Sequence, residues 1–199
     1  MTSLWAALRG ADLALFHRIN QVWTHPWLDA FFPWLTDLNR SRAAVWVALP
    51  LVLVVWVYVQ RRRAVETLLA VVLAVGLCDA VSHRFIKPYV HRDRPEKAGV
   101  AVVLRTRSHA GYSFPSNHAC NAFAGATVLG MAAPPLLWPA LAVAALVAYS
   151  RVYVGVHFPS DVAAGALLGL LLGALAGAAL NRFAGSGRPR RAKKEPRKP

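Results

Sequence analysis

The stretch Ser113–Pro135, "SFPSNHACNAFAGATVLGMAAPP", sets a serine, an asparagine and a histidine in a row at the mouth of an apolar run. Two readings compete. In the plain one, Ser116 or Asn117 caps a helix and His118 is incidental. In the other, the free N–H groups and dipole of a helix N-terminus face an anion, with a proton-bearing side chain beside them. The rest of the chain chooses between them.

The chain has 199 residues, of which 56% are hydrophobic and 16% charged, yet the formal net charge is +14. A soluble nucleic-acid-binding protein carries more charge and less apolar sequence, so no nucleic-acid partner is expected. A membrane protein with basic flanks and basic anion-binding loops fits better. The length allows one domain, not two.

Crossing a bilayer takes ~20 apolar residues, and five segments approach that length. They run over Ala43–Val59, Ala64–His83, Asn117–Ala133, Leu136–Gly155 and Ser160–Phe183. Lipid-facing backbone must satisfy its own hydrogen bonds, so all five are expected to be helices. The fold class is thus all-α, a polytopic helical bundle over 43–184 with a polar loop at 84–114. Residues 1–42 are too interrupted by Arg9, Asp12, Asp29, Pro33 and Asp37 to span. With Trp5, Trp23, Trp27 and Trp34 as anchors, they suit an interfacial helical element. They also lack the continuous apolar core of a cleavable signal, which predicts a mature N-terminus near Met1. Residues 185–199, "GSGRPRRAKKEPRKP", are too basic and Pro-rich to build a core.

Smaller features have modest readings. Cys78 and Cys120, the only cysteines, are expected as buried free thiols. Gly165, Gly169, Gly173 and Gly177 make a smooth helical stripe, better suited to packing within the chain than to a dimer contact. Asp79 lies inside an apolar run, where a functional role and a pairing with Arg84 or another basic group are equally supported. His83, His91 and His109 are expected to be loop or interface residues.

Alternating crossings bring four helix ends to one membrane face. The second segment ends at Lys87, the third begins at His118, the fourth ends at Arg151 and the fifth begins after His157. Lys87, Arg94, Ser116, His118, Arg151, His157 and Asp161 therefore gather at one mouth. Cations beside a helix N-terminus suit a phosphate-like anion. Two histidines suggest a nucleophile and a separate proton donor.

The spacing sharpens this. "KPYVHRDRP" (Lys87–Pro95), "PSNH" (Pro115–His118) and "SRVYVGVHFPSD" (Ser150–Asp161) resemble, in order, the three signature motifs of the type-2 phosphatidic acid phosphatase superfamily, K-x6-RP, PSGH and SR-x5-H-x3-D. Asn117 departs from the pattern, standing where the family usually has glycine. The resemblance implies a phosphohistidine mechanism. His157 would attack phosphorus, Asp161 would orient it through its other ring nitrogen, and His118 would protonate the leaving oxygen. Lys87, Arg94 and Arg151, with Ser116 and the backbone amide of Asn117, would hold the phosphate oxygens. The resemblance implies no metal and no cofactor, and no metal-ligand spacing is present. The opening stretch is thereby read as an anion-facing helix start.

With Lys87, Arg94 and Arg151 set aside as phosphate ligands, the clustered positive charge is Arg61–Arg63 and the tail, on the opposite face. The positive-inside rule then turns the site toward the periplasm or exterior of the plasma (inner) membrane. An outward-facing phosphatase of this size resembles the bacterial undecaprenyl-diphosphate phosphatases of cell-wall synthesis. Phosphatidylglycerophosphate, phosphatidate and a lipid A phosphate remain alternative substrates, because the motifs read only the phosphate. Two rivals are less suited. A vanadate-dependent haloperoxidase has a similar site on a soluble protein, and a non-enzymatic lipid-binding or transport protein leaves the histidine–aspartate–histidine set unexplained.

Overall fold

The computed structural model describes residues 2–37 and 62–186, and among them every regular element is helical. The segment Ala43–Val59 and most of the basic tail lie outside the described residues. In chain order, α1 (Thr2–His17) runs through a π-turn at Arg18–Val22, and α2 (Pro26–Thr36) follows. Then come α3 (Arg62–Val81), a second π-turn at Ser82–Ile86, and the single turn α4 (Lys87–Val90). The bundle closes with α5 (Asn117–Ala132), α6 (Leu137–Tyr153) and α7 (Pro159–Ser186).

Among the described residues, three stretches are long and apolar enough to cross a membrane: Ala64–Lys97, Pro134–Tyr153 and Pro159–Arg182. The expectation of five crossings is met only in part. Besides Ala43–Val59 it rests on α5, whose 16 residues extend about 24 Å at 1.5 Å per residue. That is short of a ~30 Å hydrocarbon core. Its setting explains the length: α5 is enclosed by α3, α6 and α7. Ala119, Cys120, Ala124 and Val128 are fully buried on it.

The glycine stripe makes that enclosure possible. A Cβ added at Gly165, Gly169 or Gly173 of α7 would come within 3.0 Å of the carbonyl oxygens of Ser116, Cys120 or Ala124 on α5. The stripe is used within the chain. The opposite side of α7 carries Leu167, Leu171 and Leu175, all largely exposed, as a lipid-facing ridge requires. Cys78 and Cys120 are buried free thiols in this small-residue core, beside Ala70, Ala74 and Ala176.

A second core lies at the other end and is aromatic. Phe16 and Ile19 of the N-terminal region and Phe32 of α2 pack against Val152, Tyr153, Val154, Val156 and Phe158. Asn20, fully buried in the first π-turn, donates to the carbonyls of Val103 and Tyr153 at 2.9 and 2.8 Å. Residues 2–37 are therefore fastened over the α6–α7 turn. That turn passes through Gly155 at φ +87, where a Cβ would strike Val102 and the Val103 carbonyl oxygen.

Candidate active site

Four helix ends meet where the alternation placed them. Lys87, set inward by the second π-turn, donates from Nζ to the carbonyls of Tyr112 and Pro115 at 2.9 and 3.1 Å. The Ser116 N–H donates to the Asp161 carbonyl at 3.0 Å, joining the starts of α5 and α7. Lys87, Arg94, Ser116, Arg151, His157 and Asp161 are all buried. Burying so many cations together is expensive unless an anion completes the set.

Ser116 occupies the N-cap position of α5, but its hydroxyl makes no capping bond. Its Oγ is buried without a partner. The plain reading of the opening stretch therefore fails on geometry: the α5 N-terminus leaves its donors to something other than its own cap.

At the centre, His157 is 2% exposed, between Arg94 and Asp161. Arg94 Nη1 lies 3.2 Å from His157 Nε2 and donates to the Val156 carbonyl at 3.0 Å. A guanidinium only donates, so Nε2 carries the lone pair and the ring proton is on Nδ1. Nδ1 faces Asp161 Oδ2 at 3.5 Å, longer than a well-made hydrogen bond. That oxygen accepts instead from the Phe158 N–H at 2.9 Å. Burial, then the charges of Arg151, Arg94 and Lys87, hold His157 well below its ordinary pKa of 6.5. A neutral imidazole with its lone pair on Nε2 is the form a nucleophile requires.

His118 is pushed down to about 3, by burial first and then by Arg151 and His157. A phosphate dianion among the same cations would reverse that pressure. Arg151 donates from Nη1 to the Thr36 hydroxyl, which brings α2 to the edge of the site.

The profile of the PAP2 superfamily matches residues 63–183. The chain belongs to that superfamily. The lipid A 4'-phosphatase of Porphyromonas gingivalis is 32% identical to it over 167 residues, covering 80% of this chain and 68% of that protein. The undecaprenyl-diphosphatase of Sulfolobus acidocaldarius is 31% identical over 163 residues, covering 80% and 74%. The crystal structure of Aquifex aeolicus LpxE superposes with a TM-score of 0.63 at 32% identity, over 82% of this chain and 93% of that one. This PAP2 chain is thus a member of a family of membrane lipid phosphatases.

Three features of the PAP2 site were missed from sequence. Arg92, which the motif leaves unspecified, donates to Asp161 Oδ1 at 2.8 Å. Asp12 of α1 accepts from Arg92 Nη2 at 2.5 Å and from the Ser160 N–H at 2.8 Å. Thr36 is the third. The one available signal was an acid, Asp12, isolated on an apolar helix. Arg105, an unassigned loop cation in the sequence, holds the scaffold, bonding Asp29 at 2.6 Å and stacking on Tyr153.

Asn117 and Asp79 answer each other. Asp79 Oδ1 accepts from Asn117 Nδ2 at 2.8 Å and from Asn121 Nδ2 at 3.3 Å. The residue that departs from the family glycine is bonded to the unusual acid of α3. His91 stacks edge-on against Tyr112, a loop contact as expected.

Proposed function

We propose that this PAP2 protein is an integral-membrane lipid phosphatase that works through a phosphohistidine at His157. The carrying observation is the Arg94 Nη1 to His157 Nε2 approach of 3.2 Å, which supports Nε2 as the unprotonated nitrogen and so as the one that would attack. The Nδ1 proton faces Asp161, whose carboxylate would stabilise the positive imidazole as phosphorus bonds to Nε2. Arg94 would move its donor from Nε2 to a phosphate oxygen. Lys87, Arg151, the Ser116 hydroxyl and the Asn117 N–H would complete the clamp, and His118, protonated once the phosphate is bound, would supply the leaving oxygen's proton. Positioning and charge stabilisation of this kind are most of what phosphoryl transfer asks of a protein. Five cationic or donor groups take the part that a divalent cation plays elsewhere, so the reaction proceeds without metal. Water then releases phosphate from His157.

The substrate proposed is undecaprenyl diphosphate, converted to undecaprenyl phosphate and phosphate, with the site facing the periplasm or exterior and residues 1–42 lying at the interface. One observation favours a monoester, such as a lipid A phosphate or phosphatidylglycerophosphate. Asp79, bonded to Asn117 beside the α5 N-terminus, would add a negative charge close to the bound phosphate and so disfavour a second phosphate group. Phosphate release in detergent with EDTA, across undecaprenyl diphosphate, phosphatidylglycerophosphate, phosphatidate and lipid A, ranks the two. Highest kcat/KM on the diphosphate supports the first substrate and highest on a monoester the second. Absence of release from all four refutes the phosphatase reading, and activity restored only by magnesium refutes the metal-free clamp.

A further inference from the structure

The sequence between Lys87 and Pro95 holds two arginines, and the structure gives them opposite situations. Arg94 turns to Nε2 of His157. Arg92 turns to carboxylates instead. Its Nη1 donates to Asp161 Oδ1 at 2.8 Å and to Ser160 Oγ at 2.5 Å, and its Nη2 donates to Asp12 Oδ2 at 2.5 Å. Its guanidinium lies 4.1 Å from the centroid of the Phe158 ring. With three of its five N–H groups bonded and one face stacked, Arg92 is committed to two carboxylates and a hydroxyl.

We propose that Arg92 is a positioning residue for the Asp161–His157 pair and that Asp12 holds it in place, making α1 a working part of the site. This rests on the phosphohistidine reading above. A carboxylate turns readily about its last side-chain torsion. In Asp161 that freedom is removed by giving each oxygen its own partner, Oδ1 to Arg92 and Oδ2 to the Phe158 N–H. The constraint leaves Oδ2 facing His157 Nδ1. Asp161 is fully buried, and Arg92 is the cation bonded directly to it, with the Phe158 N–H and the Ser113 side chain as its other donors.

Asp12 does more than pair with Arg92. It also accepts from the Ser160 N–H at 2.8 Å and from Ser160 Oγ at 2.7 Å, capping α7 from a different helix. One turn on, Phe16 of α1 packs on Phe158 with ring centroids 5.3 Å apart. Asp12 and Phe16, four residues apart on one helix face, thus grip the arginine and the ring it rests on. Asp12 pulls on the same guanidinium as Asp161, so Arg92 fixes the second carboxylate without neutralising it outright.

The test uses the full chain in detergent, with whichever of undecaprenyl diphosphate and dioleoyl phosphatidate it turns over faster. Single-turnover lipid release and KM are measured for Arg92→Gln, Arg92→Lys, Asp12→Asn, the Asp12→Asn/Arg92→Gln double variant and His157→Gln. A misplaced orienting group costs about 10²-fold, so Arg92→Gln should lose about that in rate with KM changed less than about twofold. Arg92→Lys, which restores the charge and one donor, should recover part of the loss. Asp12→Asn should lose about tenfold, and the double variant should be no slower than Arg92→Gln alone, because the two act in series. A wild-type rate in Arg92→Gln overturns the proposal. So does a double variant slowed by the product of the two single losses. If Arg92→Gln does not fold, wild-type rates in both Arg92→Lys and Asp12→Asn overturn it instead. His157→Gln keeps the two failures apart: persisting turnover there sinks the phosphohistidine reading itself.

Discussion

Arg94 Nη1 approaches His157 Nε2 at 3.2 Å, so the nitrogen proposed to attack phosphorus is hydrogen-bonded through its lone pair. The imidazole is kept neutral by burial and by Arg151, Arg94 and Lys87, below its ordinary 6.5. His118 is lowered likewise. Between the native pKa and about 6.5 the unfolded chain binds protons that the native site refuses, so stability rises with pH there and is flat above. Each proton is worth at most about 1.4 kcal/mol per pH unit. Thermal midpoints in detergent should therefore fall as pH drops below about 6.5. The fall should be shallower in His157→Gln and shallower still with His118→Gln added. Equal slopes in all three would show that neither histidine is held neutral.

Leaving-group chemistry tests His118. A lipid monophosphate leaving from a diphosphate is only weakly basic, with a second pKa of about 6. An alkoxide leaving from a monoester needs a proton delivered, and general-acid help is worth about 10²–10⁴-fold. In single-turnover lipid release, His118→Ala should harm monoester cleavage markedly more than diphosphate cleavage, while His157→Ala abolishes both. Equal losses on the two substrates would make His118 a phosphate-binding residue only.

Packing of α7 on α5 predicts an asymmetry between two neighbouring positions. Gly169→Ala gains ~1 kcal/mol of helix propensity but sets a methyl against the Cys120 carbonyl oxygen. Overpacking costs about 1–3 kcal/mol, so the net effect should be a lower thermal midpoint in detergent. Leu171→Ala, on the exposed side of the same helix, should leave the midpoint nearly unchanged. A rise for Gly169→Ala would mean that the two helices sit farther apart.

Topology follows from one crossing. Lys97 is exposed at the site end, and Gly187 follows the far end of α7, with Pro159–Arg182 between them. With Cys78 and Cys120 replaced, a cysteine at Lys97 should react with an impermeant thiol reagent in intact cells. A cysteine at Gly187 should react only after lysis. Labelling of both in intact cells would place the two ends on one side.

Pattern alone carried the helices that hold the site, because apolar length, polar helix ends and motif spacing are local properties of the chain. Lys87, Arg94, Ser116, His118, Arg151, His157 and Asp161 were legible for that reason, since alternation of helices turns sequence order into a common mouth. The glycines of α7 were legible as a stripe, but only packing showed that their neighbour is α5 of the same chain. Asp12, Arg92 and Thr36 were not legible. Asp12 and Asp161 are separated by 149 positions, and no local rule says that one arginine bonds both. The partner of Asp79 was undecided for the same reason, until Asn117 was found bonded to it across two helices. The sequence by itself determined which polar helix-end residues would gather at one mouth. Tertiary structure decided which of two arginines, two residues apart, contacts His157 and which bonds Asp161. A charged side chain takes its role from the groups buried around it, and those arrive from distant helices.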